Sequence, residues 1–84
     1  MECTVIKVKT MFGSEDVQYY FKVVGTDTIL YWVTSSEKAW NELPDAEDKH
    51  KIVNITSFKN MHSFKNVNGE IVQCVKNVRF NVED

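Results

Sequence analysis

Five strand-like stretches and one helix signal, in a fixed order, restrict the fold of this chain more than any other feature of its sequence. In residues 17–23, Val17, Tyr19, Phe21 and Val23 occupy alternate positions, which is the period of a β-strand with one buried face. The same period predicts three further strands with these inward residues: Ile6, Val8 and Phe12 in residues 4–12; Ile29, Tyr31 and Val33 in residues 28–34; and Val72, Cys74, Val78, Phe80 and Val82 in residues 71–82. Residues 50–58 are rich in β-branched and aromatic types and predict a strand of mixed parity.

The helix signal lies between the third and fourth strands. Ser36 is suited to cap a helix, and Glu37 places an acid in its first turn. Ala39, Trp40 and Leu43 then share one helical face before Pro44 ends the segment. We therefore expect a helix over residues 36–43, with Trp40 closing one end of the molecule.

This order predicts a mainly β fold, a five-stranded OB-like Greek-key barrel with one short helix between strands 3 and 4. SH3-like barrels lack an inserted helix of this size, and ferredoxin-like folds need a second helix that the sequence does not contain. The 84 residues suffice for one core, so we expect a single OB-like domain over residues 1–84.

Two stretches resemble OB-like segments of bacteriophage-encoded proteins. They are residues 20–36, with Tyr20-Phe21 and Trp32-Val33-Thr34-Ser35, and residues 48–59, which contain a charged entry into the next strand. Residues 59–74, with His62, Phe64 and Gly69, look like the loop and terminal strand of those proteins. The resemblance implies an OB-like fold and a context in DNA metabolism.

The composition of the chain favours one cellular location. It has no apolar run of the roughly 20 residues that a membrane span requires, and lysines alternate through its first ten residues where a signal peptide would be apolar. We expect a cytoplasmic protein that does not bind membranes. Cys3 and Cys74 both lie in strand-like runs, so we expect buried free thiols, with a disulfide between the first and last strands as the alternative.

An enzymatic centre is not predicted. Cys3, Cys74, His50 and His62 show none of the close pairings typical of zinc sites, and the three glycines form no phosphate-binding loop. Neither thiol lies in the exposed, positively charged setting that a cysteine nucleophile needs. We expect a protein with no cofactor, no metal and no catalytic residue.

The charge distribution favours single-stranded nucleic acid as the ligand. The net charge is -2, but residues 37–48 contain five of the acids, whereas residues 49–80 contain six cations and one acid. OB folds bind oligonucleotides on the face of strands 2 and 3 and on the loops that join strands 1–2 and 4–5. We predict a 4–5 loop at residues 59–70. The candidate binding residues are Tyr20, Lys22, Trp32, Lys59, Phe64, Lys65, Lys76 and Arg79.

Two of these assignments depend on local geometry. With a three-residue turn between strands 2 and 3, Trp32 lies opposite Tyr20 on the outer face, whereas a turn one residue longer moves Trp32 to the core face. Phe64 either packs back onto the barrel or is offered to a ligand. The sequence leaves both alternatives open.

A protein-interaction module, such as a phage-encoded inhibitor or accessory factor, is the second hypothesis. Clustered carboxylates can imitate a nucleic-acid backbone or dock on a basic partner, and the candidates are Glu42, Asp45, Glu47 and Asp48. The same acids also suit an ordinary solvated helix. A homodimer through an exposed edge strand is a third arrangement that the sequence allows.

Overall fold

Five β-strands and one helix follow one another in the order that the sequence predicts. The structure, a computed structural model, describes residues 1–48 and 50–83. The elements are β1 (Glu2–Thr10), β2 (Val17–Val23), β3 (Thr28–Thr34), α1 (Glu37–Glu42), β4 (Ile52–Lys65) and β5 (Ile71–Glu83). The strands close into a barrel in the order β1-β2-β3-β5-β4, with β3 and β5 parallel and the other neighbours antiparallel. The predicted fold, an OB-like Greek-key barrel, is confirmed.

The barrel interior is filled by alternate residues of every strand. The largest fully buried side chains are Phe21, Leu30, Val5, Val53, Val75 and Cys3. Tyr19 and Phe21 stack with ring centroids 6.0 Å apart, and Trp32 packs against both rings and against Phe80. Cys3 lies within this core, where burial raises the pKa of its thiol to about 11. Both cysteines are free and buried, as predicted.

Helix α1 and the residue that follows it close one end of the barrel. The Ala39 N–H donates to the Ser36 hydroxyl at 3.4 Å, which confirms Ser36 as the N-cap. Ala39 and Leu43 are buried, and the Tyr19 hydroxyl donates to the Ala39 carbonyl at 3.5 Å. The prediction that Trp40 closes this end is wrong, because its side chain is 58% exposed. Alanine lets the short helix approach the barrel more closely than an intervening indole would allow.

The connection between β2 and β3 determines which aromatic residues are buried. It spans residues 24–27, one residue more than a three-residue turn, and the Thr26 N–H donates to the Val23 carbonyl at 3.1 Å. The longer turn pairs Tyr19 with Trp32 and Tyr20 with Tyr31. Trp32 therefore lies in the core, 7% exposed, and the predicted outward Trp32 is corrected.

The same register reverses the predicted inner face of β3. Leu30 and Trp32 point inward, whereas Ile29, Tyr31 and Val33 belong to the outer face. Val33 is 44% exposed, in agreement with this assignment. The alternation along β3 was recognised, but its parity was not, because apolar residues occupy both faces.

A β-bulge at Ile6 alters the alternation along β1. Val5 pairs with Phe21 and Lys7 with Tyr20, so Ile6 has no counterpart on β2. Val5 is fully buried, Ile6 is 40% exposed, and Val8 packs against the core. The predicted inward Ile6 is therefore wrong. Phe12, predicted on the same inward parity, lies beyond the strand and is fully exposed.

A second bulge divides β5 at Asn77. Lys59 pairs with Lys76 and Ser57 with Arg79, so β5 contains one more residue than β4 between those pairs. Asn77 has φ of 55°, a left-handed conformation that asparagine tolerates better than most residues. Because of this extra residue, the positions of β5 that face the barrel interior change parity at Asn77. Val78, Phe80 and Val82 pack inward as predicted, whereas Val72 and Cys74 are buried outside the main core.

The predicted 4–5 loop over residues 59–70 is wrong, because β4 continues to Lys65 and only residues 66–70 connect it to β5. The Asn66 side-chain oxygen accepts hydrogen bonds from the N–H groups of Asn68 and Glu70, and Gly69 has φ of 82°. Beyond Ile55, β4 is exposed except at half-buried Phe58. The low hydrophobicity of residues 59–65 therefore reflects an exposed part of the β4–β5 strand pair. No helix of the described residues is long and apolar enough to cross a membrane.

Candidate nucleic-acid interface

A row of outward residues crosses all five strands. The strand registers connect Lys7 of β1 with Tyr20, Tyr31, Cys74 and finally His62 of β4. Residues paired in this way project from the same face of a sheet. The row places two aromatic rings and a lysine on the outer face of β1, β2 and β3, and we call Lys7, Tyr20 and Tyr31 the aromatic platform.

The two tyrosine rings of the platform stack on each other. Their centroids are 4.8 Å apart with an interplanar angle of 28°, and the Lys7 ammonium lies 5.4 Å from the Tyr20 ring centroid. Because β1 and β3 flank β2 on opposite sides, Lys7 and Tyr31 cover opposite faces of Tyr20. Partial burial is the main reason that the pKa of the Tyr31 hydroxyl is raised, with smaller contributions from Tyr20 and Cys74. The platform presents neutral, preorganised rings beside a cation.

The neighbouring row, Lys22, Ile29, Val72 and Phe64, is less suited to binding an anion. The Lys22 ammonium donates to the Glu70 carboxylate at 3.2 Å and lies 3.8 Å from Asp27. Lys22 is therefore already paired with acids. Phe64 is 51% exposed on β4 beside Val72, so it is presented on the surface and not packed back into the barrel.

A groove of about 720 Å³ opens where the end of β3, the start of α1 and the bulge of β5 meet. Its cations are Lys38, Lys76 and Arg79. Hydroxyls and amides complete the polar lining: Thr34, Ser35, Ser36, Thr56, Asn77 and Asn81. These residues, all in the described part of the chain, include no carboxylate. We call this the basic groove.

Two aromatic residues form part of the groove wall. Trp32 and Phe80 line it from the core side, and the Lys38 ammonium lies 5.4 Å from the Phe80 ring centroid. The bulge at Asn77 breaks the alternation of β5, so that Lys76 and Arg79 are both exposed and both line the groove. The left-handed residue thus determines the spacing of the two cations.

The aromatic platform and the basic groove form one continuous surface. Val33 and Lys76 both line the groove. Val33 lies two residues after Tyr31 on β3, and Lys76 lies two residues after Cys74 on β5, and Tyr31 and Cys74 both belong to the outward row. Two residues along a strand correspond to about 7 Å. A flexible polymer can therefore contact both features at once.

Only some of the predicted binding residues lie together in the structure. Trp32, Lys76 and Arg79 meet in the basic groove, and Tyr20 belongs to the platform. Lys59 pairs with Lys76 across the β4–β5 ladder, whereas Lys65 lies at its far end opposite Ile71.

The predicted binding residues do not include Lys7 and Tyr31 of the aromatic platform or Lys38, the third cation of the basic groove. Tyr31 could be found only by considering the longer β2–β3 turn. Lys7 could be recognised from its position between apolar residues of β1, and Lys38 from the predicted helix beside Ser35 and Ser36.

The acids of the second hypothesis lie elsewhere. Glu42, Asp45 and Glu47 are exposed and Asp48 is half-buried, and none of them lines the basic groove. The Asp48 N–H donates to the Asp45 carbonyl at 3.0 Å in a turn after the helix. These acids lie in α1 and the segment that follows it, away from the basic groove.

Comparison with known proteins gives no relative: no family model, curated protein or solved structure matches the chain. Among the described residues, no three histidine, cysteine, aspartate or glutamate side chains come close enough to hold a metal ion. The chemistry of the surface itself is therefore the basis for any functional proposal.

Proposed function

We propose that this protein is a non-enzymatic binding protein for single-stranded nucleic acid. The ligand follows the outer face of β2 and β3 across the aromatic platform and enters the basic groove. The observation on which the proposal rests is that the groove contains Lys38, Lys76 and Arg79 without a carboxylate, although the chain as a whole has a net charge of -2.

The platform favours single strands over duplexes. Bases of a single strand are free to stack on aromatic side chains, and each such contact contributes about 1–3 kcal/mol regardless of sequence. Tyr20 is covered on both faces by Tyr31 and Lys7, so the incoming base stacks on the far side of Tyr31 or displaces the Lys7 ammonium. In a duplex the bases are paired and stacked with one another, which leaves them unable to use this platform.

The groove supplies the contacts to the backbone. Arginine and lysine neutralise phosphates, and a hydroxyl such as that of Ser35 is suited to donate a hydrogen bond to a phosphate oxygen. Lys22 is not part of this set, since Glu70 and Asp27 already pair with it. The proposed binding surface therefore contains Lys7, Tyr31 and Lys38, and it does not contain Lys22 or the predicted 4–5 loop.

The test is fluorescence anisotropy with a labelled oligothymidylate of about 12 nucleotides, within the site size of an OB fold. At low salt we expect saturable binding, displaced by unlabelled single strands and much less by a duplex of equal length. An oligouridylate competitor distinguishes DNA from RNA, because only RNA offers 2′-hydroxyls.

A charge-reversal pair connects the binding to the groove. Arg79→Glu introduces an acid into the groove and should weaken binding strongly, whereas Lys51→Glu makes the same change at an exposed position outside it. Equal effects of the two substitutions would indicate attraction by net charge alone. No binding by the wild-type protein at low salt would refute the proposal.

A further inference from the structure

A second cleft lies on the other side of the segment that joins β3 to α1. It has a volume of about 350 Å³ and is lined by Glu15, Asp16, Glu37 and Trp40, among others. Ser35 and Ser36 border both this cleft and the basic groove. The cleft has acids and no base in its lining, the reverse of its neighbour.

Trp40 forms an exposed aromatic wall of the cleft. Its side chain is 58% exposed, whereas Ala39 of α1 and Leu43, the residue that follows the helix, are buried. The indole is therefore not used to fill the core. A large aromatic residue exposed at the edge of a cleft is typical of a surface that contacts another molecule.

The connector between β1 and β2 presents two more apolar side chains at this end. The Ser14 N–H donates to the Met11 carbonyl at 3.2 Å, and Gly13 has φ of 80°, so the segment forms a defined turn. Phe12 lies in this turn and is fully exposed, and Met11 is 49% exposed. Both side chains belong to the connector whose Ser14, Glu15 and Asp16 line the cleft, although neither of them lines it.

In the described part of the chain, no basic residue forms an ion pair with the carboxylates of the cleft. Within residues 1–48 and 50–83, both ion pairs are formed by Lys22, at the opposite end of β2. A guanidinium group fits this site better than an ammonium, because it is planar, stacks on an indole and donates to carboxylates through two parallel hydrogen bonds. Its charge also complements Glu15, Asp16 and Glu37.

We propose that this cleft docks an arginine side chain of a partner protein, held between the Trp40 indole and the carboxylates of Glu37 and Asp16. Apolar residues that flank the arginine in the partner contact Met11 and Phe12. The proposal is independent of nucleic-acid binding, since it uses none of the platform or basic-groove cations.

The experiment follows the two indole N–H resonances of the protein by NMR. The probe is a blocked peptide with one arginine between two leucines, and its control replaces arginine by citrulline, which has the same shape without the charge. We expect the arginine peptide to shift the Trp40 resonance saturably at low salt, while buried Trp32 serves as an internal reference. Trp40→Phe assigns the two resonances.

A matched pair of acidic substitutions tests the location of the site. Glu37→Gln should weaken the peptide about two- to fivefold, as expected for an exposed cation beside a carboxylate and a ring. Glu47→Gln removes the same charge outside the cleft and should leave affinity unchanged. Both positions are exposed, so the fold should tolerate both changes.

Four results would overturn the proposal. They are no saturable shift of Trp40 at millimolar peptide, equal binding of the citrulline peptide, equal loss in the two glutamine variants, and sedimentation showing a dimer that Trp40→Ala dissociates. The last result would make a second copy of this chain the occupant. Peptide binding with failed oligonucleotide binding would support this cleft while refuting the proposed function.

Discussion

Tyr20 and Tyr31 lie directly opposite each other in the β2–β3 register, with ring centroids 4.8 Å apart on the outer face of the barrel. Cross-strand aromatic pairs stabilise a sheet, but these two rings are only half-buried and have a lysine beside them. The pair is therefore both part of the sheet and an accessible surface for a planar ligand.

Tyr31→Ala is expected to weaken binding to oligothymidylate, because the far face of Tyr31 accepts a base. Loss of one stacked base corresponds to about 1–3 kcal/mol, or about a 5- to 150-fold increase in Kd. Tyr31→Phe retains the ring and should bind nearly as the wild type. Phe12→Ala removes a fully exposed aromatic outside the platform and is the control for anisotropy titrations.

Replacing Lys76 and Arg79 by glutamine should reduce the salt dependence of binding. Each phosphate contact to a single strand contributes about 0.7 to the slope of log Kobs against log salt. The double variant should therefore have a slope smaller in magnitude by about 1.4 than the wild type. An unchanged slope, measured from 50 to 300 mM salt as a typical range, would show that neither cation contacts the backbone.

Trp32 and Trp40 should differ sharply in their contribution to stability. Trp32 is 7% exposed among Tyr19, Phe21 and Phe80, so Trp32→Ala should lower the free energy of unfolding by about 3–5 kcal/mol. Trp40 is 58% exposed, and Trp40→Ala should change it by about 0.5 kcal/mol or less. Urea unfolding followed by far-ultraviolet circular dichroism gives both values. A reversed order would contradict the β2–β3 register.

The two tryptophans also show how far the sequence determines the structure. The strand order and the helix position could be predicted, because alternation, the Ser36 cap and Pro44 are local signals. The burial of Trp32 depends on one residue of turn length, and the turn sequence is compatible with both registers. For Trp40, helical periodicity gives a face, but it does not say that Ala39 and Leu43 already cover the barrel end.

The candidate surface was predicted in part for the same reason. Tyr20, Lys76 and Arg79 were found from composition and position, whereas Tyr31 replaces Trp32 because the register differs. The bulges at Ile6 and Asn77 each shift the alternation by one residue, and neither has a glycine to mark it. The second half of β4 reads as a loop in the sequence because its residues are exposed on both faces and show no hydrophobic period.

The left-handed conformation of Asn77 should make this position sensitive to branching. Asn77→Val places a β-branched residue at φ of 55° and should destabilise the protein by about 1–2 kcal/mol. Asn77→Gly adopts the same φ without strain and should remain within about 0.5 kcal/mol of the wild type. Denaturant unfolding measures both. Because the bulge also spaces Lys76 and Arg79, Asn77→Val should weaken oligonucleotide binding while Asn77→Gly should not.

Glu70 should give the protein an acid-sensitive contribution to stability. Hydrogen bonds from the Asn66 amide and then from the Lys22 ammonium lower the pKa of the Glu70 carboxyl below its ordinary value. A depressed folded-state pKa stabilises the fold above the unfolded pKa of about 4.3, and this stabilisation is lost as the pH falls through the folded value. Glu70→Gln should therefore unfold at lower urea than the wild type at neutral pH, and the difference should shrink as the pH falls below the unfolded pKa. Glu47→Gln, an exposed control in the turn after α1, should show no such pH-dependent difference. A Glu70→Gln deficit that persists unchanged in acid would mean that the carboxylate charge does not stabilise the end of the β4–β5 hairpin.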